Sequence, residues 1–256
     1  TLRRDMRVAV LASGGKDSAY ATWWALMQGW NVECLITVHV TGADSMMFQL
    51  NGAGIAALQA ASAGIPWLPV LTTGVPESEI SDLETSLRGD WGSCNAFLEA
   101  WPEEWEEPDE LEIYEGPLAV DALVVGALRS DYQKTRIERM CDRLGIISFC
   151  PLWHHPAEEH MASFVNHGFD VRFASVSAEG IDGGWLGRRL DEDALSELRI
   201  LSERHRFNLD GEGGEFETIV VDGPHMKRTI KCVAEPQWDG RRGVWNVLSA
   251  NISAMR

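Results

Sequence analysis

The stretch VLASGGKDSAY, residues 10–20, decides the fold that this sequence predicts. It begins within the apolar run MRVAVL, residues 6–11, which has the length of a buried strand, and it leads into a helix-like segment. A turn between a strand and a helix start attracts anions, because backbone N–H groups and the helix dipole point at the ligand. Gly14 and Gly15 allow the backbone to approach a phosphate closely, and Lys16 adds a positive charge. The stretch therefore predicts a phosphate-binding loop.

Two common phosphate-binding loops do not fit this stretch. A Walker A loop requires GxxxxGK followed by Ser or Thr, but Val10 occupies the first glycine position and Asp17 follows the lysine. The GxGxxG pattern of dinucleotide-binding loops does not occur here either. An ordinary strand–helix turn is the remaining alternative, and the complete hexamer SGGKDS, residues 13–18, argues against it.

Strand-like and helix-like segments alternate through the first 150 residues. The strand-like segments are apolar throughout, which is typical of a parallel sheet covered by helices on both faces. They are residues 6–11, 31–40, 65–71, 121–128 and 146–153. Ligands of such sheets bind at the carboxyl ends of the strands, where the hexamer lies. We therefore predict an α/β fold with a Rossmann-like parallel sheet and helices on both faces.

The pattern changes from about Pro151 onward. Two helix-like segments now occur among β-like pieces and a glycine-rich turn region, and we interpret this part as a smaller C-terminal α/β domain. The helix-like segments are residues 157–168 and 191–205, and the β-like pieces are 169–177, 216–222 and 229–235. We predict a nucleotide-binding domain over residues 1–150 and a substrate domain over residues 151–256.

The charge of the chain limits its partners. The formal net charge is −17, which argues against extended contact with nucleic-acid phosphates. Residues 89–128 contain eleven acidic residues and no Lys or Arg. We interpret residues 91–117, approximately, as a solvated acidic insertion, with a binding role for its tryptophans as the alternative.

Composition indicates a globular protein of the cytoplasm. The chain has 256 residues, 45% of them hydrophobic, and no apolar stretch is long enough to cross a bilayer, so we expect no membrane contact. Its first ten residues lack the features of a signal peptide. The five cysteines form no CxxC pair, which favours neither a disulfide framework nor a zinc site.

The hexamer SGGKDS resembles the PP-loop, with the pattern SGGxDS, of the N-type ATP pyrophosphatases, also called the adenine nucleotide alpha hydrolase-like fold. Those enzymes cleave ATP between the α- and β-phosphates. The resemblance implies that the loop holds the departing pyrophosphate, that Lys16 and Asp17 are catalytic, and that ATP and Mg²⁺ are bound. Asp17 is then the expected Mg²⁺ ligand, because Mg²⁺ prefers carboxylates and phosphate oxygens, and a helix N-terminal acid is its alternative role. The implied nucleotide-binding residues are Ala12, Ser13, Gly14, Gly15, Lys16, Asp17 and Ser18.

Further motifs resemble the diphthine–ammonia ligase (diphthamide synthase) family in its archaeal-type form. They are GALRSDYQKTRIERMCDRLG at 126–145, VSAEGIDGGWLGRRLD at 176–191, and GEGGEFET at 211–218 followed by DGP at 222–224. The resemblance extends over residues 6–231 and departs from the family at Met46, where a tyrosine is usual, and at the acidic insertion.

The resemblance implies ATP-dependent amidation of diphthine on elongation factor 2. The diphthine carboxylate would attack the α-phosphorus of ATP, pyrophosphate would leave, and ammonia would displace AMP from the acyl adenylate. The implied partners are elongation factor 2 bearing diphthine and ammonium, and a homo-oligomer is left open. A tRNA-modifying PP-loop ATP pyrophosphatase and a non-catalytic adenine-nucleotide sensor are the alternative functions.

Two of these motifs supply candidate substrate-binding residues. Diphthine carries a trimethylammonium group, which suits an acidic or aromatic lining, and a carboxylate could deprotonate ammonium. The resemblance therefore favours catalytic roles for Glu215 and Glu217, whereas a strand-entry turn with surface acids is the alternative. The helix that starts after residue 130 could bind the substrate. The alternatives are that Ser130 only caps this helix and that its first residues lie on the surface. The candidate substrate-binding residues are Tyr132, Gln133, Arg136, Glu212, Gly213, Gly214 and Glu215.

Three histidines, His154, His155 and His160, cluster after the segment PLW. A metal site is one interpretation of this cluster. We expect instead an exposed loop followed by a helix start.

Overall fold

Five parallel strands form the first sheet, in the order β3-β2-β1-β4-β5. The strands are β1 (Arg7–Leu11), β2 (Asn31–Val40), β3 (Trp67–Thr72), β4 (Ala122–Val124) and β5 (Ile147–Phe149). The computed structural model describes residues 5–41, 52–89, 93–126 and 131–254, apart from the side chains of residues 76, 77, 93, 94 and 133. The strand order reverses at β1, whose two neighbours are β2 and β4, and such a reversal opens a ligand crevice at the carboxyl end of the strand.

Helices cover both faces of this sheet. Val8 and Val10 of β1 pack on one face in a core shared with α1, α2 and α4, whereas Ala9 packs on the other face with α3 and α5. The alternation follows from the strand geometry, in which successive side chains point to opposite faces. The helices of this part in the described residues are α1 (Lys16–Met27), α2 (Gly52–Ala63), α3 (Pro76–Leu87), α4 (Ser93–Ala100) and α5 (Asp131–Leu144). The predicted Rossmann-like architecture is confirmed.

The second sheet has four antiparallel strands in the order β7-β6-β9-β8. Two helices accompany it, and the side chain of Asp191 caps the second of them by accepting a hydrogen bond from Ala194 N at 2.8 Å. The elements are α6 (Ala157–Asn166), β6 (Asp170–Val176), α7 (Glu192–His205), β7 (Phe216–Asp222), β8 (Ile230–Trp238) and β9 (Gly243–Ile252). The predicted smaller C-terminal α/β part is present, whereas the division of the chain at residues 150 and 151 stays a prediction.

A shared hydrophobic core joins the two sheets. Ile55 and Leu58 of α2 and Ala19 of α1 are fully or almost fully buried in the same cluster as Phe173 of β6 and Val220 of β7. Burial of this apolar surface stabilises the folded state by roughly 25 cal/mol per Å² removed from water. The helices α1 and α2 therefore pack against β6 and β7 of the second sheet.

The acidic segment after α4 differs from the expected solvated insertion. Its acidic side chains from residue 103 onward lie mainly exposed, but Trp105 is only 5% exposed, and its Nε1 donates to the Leu248 carbonyl of β9 at 3.1 Å. Ile113 forms a parallel bridge with Trp67 at the edge of the first sheet. Trp105 thus packs against the second sheet, because burying an indole stabilises the fold more than leaving it in water, and Ile113 extends the edge of the first sheet.

No helix in the described ranges is both long and apolar enough to span a bilayer.

Candidate functional site

The predicted phosphate loop connects the carboxyl end of β1 to the start of α1. Gly14 adopts φ +84°, a left-handed conformation that side chains other than glycine rarely adopt. A Cβ atom at this position would lie 2.9 Å from the carbonyl oxygen of Gly52, so the loop also lacks space for one. The glycine is required by the backbone itself.

Three backbone N–H groups of the loop donate to hydroxyl oxygens. Ser13 N donates to Ser18 Oγ at 3.2 Å, Gly15 N donates to Ser13 Oγ at 3.4 Å, and Lys16 N donates to Thr218 Oγ1 at 3.1 Å. Neutral hydroxyls are weaker acceptors than charged oxygens, which form the stronger, charge-assisted hydrogen bonds. These N–H groups are therefore suited to exchange their hydroxyl partners for phosphate oxygens.

The Gly14 peptide is held in place from outside the loop. Its carbonyl accepts hydrogen bonds from Gln59 Nε2 at 2.9 Å and from Val220 N at 3.0 Å, and Gln59 Nε2 also donates to the Val220 carbonyl at 2.7 Å. The side chain of Gln59 is buried in α2, where it is the one amide in an alanine-rich sequence. That isolated polar residue was a signal that our sequence reasoning missed.

Lys16, Asp17 and His160 form a compact group beside the loop. The ammonium of Lys16, which is 5% exposed, contacts both carboxylate oxygens of Asp17 at 2.9 Å. His160 of α6 is fully buried, and its Nε2 lies 2.7 Å from Asp17 Oδ1. The hydrogen bond requires the proton on Nε2, so that His160 donates to the carboxylate.

The electrostatics of the group favour an ionised Asp17 and a neutral His160. Burial would raise the pKa of the Asp17 carboxyl, but the charge of Lys16 and the hydrogen bond from His160 outweigh it and lower that pKa. Burial lowers the pKa of His160 and outweighs the opposing effect of Asp17. His160 Nδ1 is buried without a hydrogen-bond partner in the described structure, as an unprotonated nitrogen tolerates better than an N–H group.

The expectation for the histidine cluster holds only in part. His154 is exposed and His155 is partly exposed in the turn before α6, whereas His160 is buried one turn into the helix. The expectation of an exposed helix start was wrong for His160, because α6 turns this position towards Asp17, Tyr20 and Phe164. The sequence carried no local signal of that contact.

A cavity of about 560 Å³ opens beside the loop. This volume is within the range of small-ligand sites. Apolar side chains of β2 and α3 form one wall, and polar groups from the loop, from α5 and from residue 212 converge on it. Its polar and charged lining residues are Ser13, Asp17, Ser18, Glu79, Tyr132, Lys134, Arg136 and Glu212.

The cavity brings three of the predicted motifs together. Asp17 from the PP-loop, Arg136 from the segment 126–145 and Glu212 from the segment 211–218 all lie on its wall. Asp17 and Arg136 meet there because parallel strands place their carboxyl ends at one edge of the sheet, whereas Glu212 reaches the cavity from the turn before β7 of the second sheet. Glu79 and Lys134 also line the cavity and were not among the predicted site residues.

The α5 side of the cavity contains interacting polar side chains. The guanidinium of Arg136 lies 4.9 Å from the Tyr132 ring and donates to its hydroxyl, although Tyr132 is 61% exposed. Lys134 forms an ion pair with Glu138. Gln133 lies in the first turn of α5, and its side chain is outside the described part of the structure.

Several predicted residues either lie away from the cavity wall or use their polar groups within the fold. Ala12 lines the cavity but uses its N–H and carbonyl within the fold, donating to Ile36 and accepting from Thr37. The exposed glycines at 213 and 214 form the turn before β7, in which the second has φ +81°. The segment LGRRLD at 186–191 does not line the cavity either, since its Asp191 caps α7.

The two glutamates next to β7 differ in environment. Glu215 Oε1 accepts hydrogen bonds from Asn208 N at 2.8 Å and from Asn208 Nδ2 at 2.7 Å, whereas its Oε2 is buried without a partner in the described structure. Glu217 retains exposed surface. Desolvation by the surrounding residues nevertheless raises the pKa of its carboxyl and outweighs a hydrogen bond with Ser175, which lowers that pKa. Neither glutamate belongs to the cavity lining.

No group of three or more His, Cys, Asp or Glu side chains in the described ranges is arranged to hold a metal ion by itself. Asp17 is one carboxylate that reaches the cavity, with its side chain 30% exposed. Mg²⁺ typically binds through one or two carboxylates plus substrate phosphates, so a single aspartate beside a phosphate loop fits that ion.

Comparison with known proteins gives one family match in the part of the chain that contains the first sheet and another in the part that contains the second sheet. Residues 6–89 and 97–148 match the family described as the diphthamide synthase N-terminal domain, and residues 156–252 match the diphthamide synthase C-terminal domain. The chain belongs to the diphthamide synthase family. The N-terminal match includes residues 97–117, so the diphthamide synthase domain extends through most of the acidic segment.

Curated members of the diphthamide synthase family resemble this chain at about 30% identity. The diphthine–ammonia ligase of Homo sapiens is 30% identical over 236 residues, which cover 88% of this chain and 82% of the human protein. The corresponding ligase of Schizosaccharomyces pombe is 29% identical over 229 residues, and the matched region spans only 36% of its length. A solved structure from Methanocaldococcus jannaschii, described as a predicted subunit of tRNA methyltransferase, aligns with 86% of this chain and 98% of its own chain at 18% identity and a TM-score of 0.39.

Proposed function

We propose that this chain is a diphthine–ammonia ligase that amidates diphthine on elongation factor 2. A diphthine carboxylate oxygen attacks the α-phosphorus of ATP, and the bond to the bridging oxygen breaks, releasing pyrophosphate. Ammonia then attacks the acyl carbon, loses a proton, and displaces AMP. Adenylation is required because a free carboxylate is a poor electrophile.

The observation that carries this proposal is the convergence of three family motifs on one cavity. Ser13 and Asp17 come from the PP-loop, Arg136 from α5 and Glu212 from the segment before β7. The hydrogen bond from Lys16 N to Thr218 Oγ1 also ties the PP-loop to the last residue of GEGGEFET. In this proposal the N–H groups of the loop bind phosphate, the apolar wall contacts adenine, and the acidic groups contact a cationic substrate.

The loop and Lys16 would stabilise the leaving pyrophosphate. The N–H groups of Ser13, Gly15 and Lys16 exchange their hydroxyl acceptors for phosphate oxygens, and the Lys16 ammonium turns from Asp17 towards the phosphates. Fixed donors aimed at developing charge lower the barrier more than flexible ones do. The apolar wall formed by Ile36, Val38 and Ile80 offers a surface on which an adenine ring can pack.

Mg²⁺ belongs to this proposal as the counterion of the phosphates. Asp17 is the residue that would hold it, because its carboxylate is ionised and reaches the cavity. When bound, the ion would neutralise charge that develops on the departing pyrophosphate.

The acidic groups would serve the substrate side of the reaction. Glu212 on the cavity wall and the ring of Tyr132 suit the trimethylammonium group of diphthine. The buried oxygen Glu215 Oε2 lacks a donor in the described structure, and ammonium would supply one. Glu217, whose raised pKa makes it a better base, is the candidate for deprotonating ammonium.

The experiment that tests this function is product analysis with ATP labelled at the α-phosphate. The purified chain is incubated with Mg²⁺, ammonium and elongation factor 2 bearing diphthine, and the same factor with an unmodified histidine is the control. We expect AMP, pyrophosphate and diphthamide in equal amounts, and only with the diphthine-bearing factor. Formation of ADP instead of AMP would show that the adenylation scheme is wrong.

Two further outcomes would identify the alternatives. Nucleotide binding without any pyrophosphate would indicate a non-catalytic sensor. Pyrophosphate formation that depends on tRNA rather than on the elongation factor would indicate a tRNA-modifying enzyme.

A further inference from the structure

His160 is a buried polar residue to which the proposed reaction assigns no role. Its ring lies against the rings of Tyr20 at 5.4 Å and Phe164 at 4.8 Å, measured between centroids. The backbone N–H of His160 donates to the Pro156 carbonyl at 2.9 Å, and the backbone carbonyl of His160 accepts from Ser163 Oγ at 2.6 Å. The helix and the aromatic neighbours therefore fix the ring in one orientation.

That orientation directs one nitrogen of the ring at the PP-loop aspartate. His160 Nε2 lies 2.7 Å from Asp17 Oδ1, although the two residues are 143 positions apart. The carboxylate therefore has two donors, one on the flexible side chain of Lys16 and one on the rigid ring of His160. A long lysine side chain can change partners readily, whereas a packed imidazole cannot.

We propose that His160 is a positioning residue that keeps the Asp17 carboxylate directed into the cavity when Lys16 leaves it for the phosphates of ATP. This inference rests on the proposed function. Lys16 must leave Asp17 to reach a phosphate, because its ammonium contacts both carboxylate oxygens. Without a second donor the carboxylate would be free to rotate or to follow the ammonium. The hydrogen bond from His160 retains Oδ1, so Oδ2 continues to face the nucleotide.

Three variants separate the effect of the His160 N–H donor from the effect of the packing of its ring. His160→Phe keeps a ring against Tyr20 and Phe164 but removes the donor. His160→Gln places an amide N–H at the same number of bonds from the backbone. His167→Phe is the matched control at the C-cap of the same helix, since the His167 ring lies 4.7 Å from that of Trp23 and is exposed.

Steady-state pyrophosphate release is measured for all three variants and for the wild type. We expect His160→Phe to lower kcat by about 10- to 100-fold, as the loss of a supporting hydrogen bond at a site typically does. KM for ATP should stay within about threefold, because the loop N–H groups, Lys16 and the apolar wall provide ground-state binding. His160→Gln should recover most of kcat, and His167→Phe should resemble the wild type.

Each other outcome has a defined meaning. An inactive wild type would contradict the proposed function rather than the role of His160. An active wild type with an unchanged kcat in His160→Phe would overturn the inference. Equal losses in the Phe and Gln variants would also overturn it, because packing alone would then explain the effect.

A spectroscopic measurement tests the contact without turnover and without a variant that must fold. Long-range ¹H–¹⁵N spectra of the wild type should show His160 protonated at Nε2 and unprotonated at Nδ1. The Nε2–H signal should persist when α,β-methylene-ATP, which cannot be cleaved between those phosphates, saturates the site. Loss of that signal on saturation would contradict the proposal.

Discussion

The hydroxyl oxygen of Thr218 accepts a hydrogen bond from the backbone N–H of Lys16 at 3.1 Å, across 202 positions of sequence. Lys16 is the first residue of α1, and the residue before it, Gly15, offers no side chain to cap the helix. Thr218 of β7 thus supplies from the second sheet the acceptor that a serine or aspartate usually provides from the adjacent position. The start of α1 and the phosphate loop are therefore stabilised by tertiary contact.

Thr218→Val should destabilise the ligand-free protein by about 1 kcal/mol, the usual cost of losing a helix cap. This loss of stability should be smaller when α,β-methylene-ATP is bound, because a phosphate oxygen can accept a hydrogen bond from the same N–H. Urea unfolding with and without the analogue measures both values. Thr218→Ser, which retains the hydroxyl, is the control and should lose less stability, and wild-type stability in Thr218→Val would show that the hydroxyl does not cap the helix.

Lys16→Ala should lower pyrophosphate release by about 100-fold or more, the range seen when one charge-stabilising group is removed from an active site. The fold should persist, because Asp17 keeps its hydrogen bond from His160 and reaches the cavity. Circular dichroism and a thermal melt test the fold alongside the assay. Lys231→Ala on the exposed part of β8 should leave activity unchanged, and wild-type activity in Lys16→Ala would count against the phosphate-loop assignment.

Trp105→Ala should lower the free energy of unfolding by about 3–5 kcal/mol, as is usual for removal of a buried tryptophan. The indole is buried against the second sheet, and its Nε1 donates to the Leu248 carbonyl. Leu98→Ala in the preceding helix α4 is the control, because Leu98 is 72% exposed and its loss should change stability by less than about 0.5 kcal/mol. Similar small effects in both variants, measured in urea, would indicate that the acidic segment does not support the fold.

His225 should make stability depend on pH in the acid range. Burial, opposed by the charge of Asp222, lowers the pKa of His225 to about 4 in the folded protein, whereas an unfolded histidine has a pKa of about 6.5. Between these values the unfolded chain binds a proton that the folded chain does not, so the free energy of unfolding falls as the pH falls from about 6.5 to 4.

Comparison with His225→Phe isolates this contribution. The wild type should lose about 2 kcal/mol more than the variant between pH 7 and pH 5, measured by chemical unfolding at each pH. His154→Asn, which removes an exposed histidine, is the control and should retain the wild-type slope. A wild-type slope in His225→Phe would show that other groups cause the pH dependence.

Local sequence patterns predicted the strands of the first sheet, but they missed the end of one strand there and one whole strand of the second sheet. The apolar run at 121–128 was predicted as one strand, yet within its described residues, 121–126, the sheet pairs only Ala122–Val124, because its neighbours β1 and β5 offer three partners there. The strand β9, with the sequence GVWNVLSANI, was not predicted, since its polar residues weaken the β pattern. Pairing with β8 and β6 makes it a strand.

The sequence by itself determined the backbone of the loop at 13–18, because a strand, two glycines and a helix start impose that backbone within a few residues. Only the tertiary structure decided which groups hold the loop. His160 reaches Asp17 and Thr218 reaches Lys16 because the second sheet and α6 pack on the start of α1. Hydrogen bonds between residues so distant in sequence leave no periodic or local trace, since they depend on the packing of whole elements rather than on the spacing of neighbours.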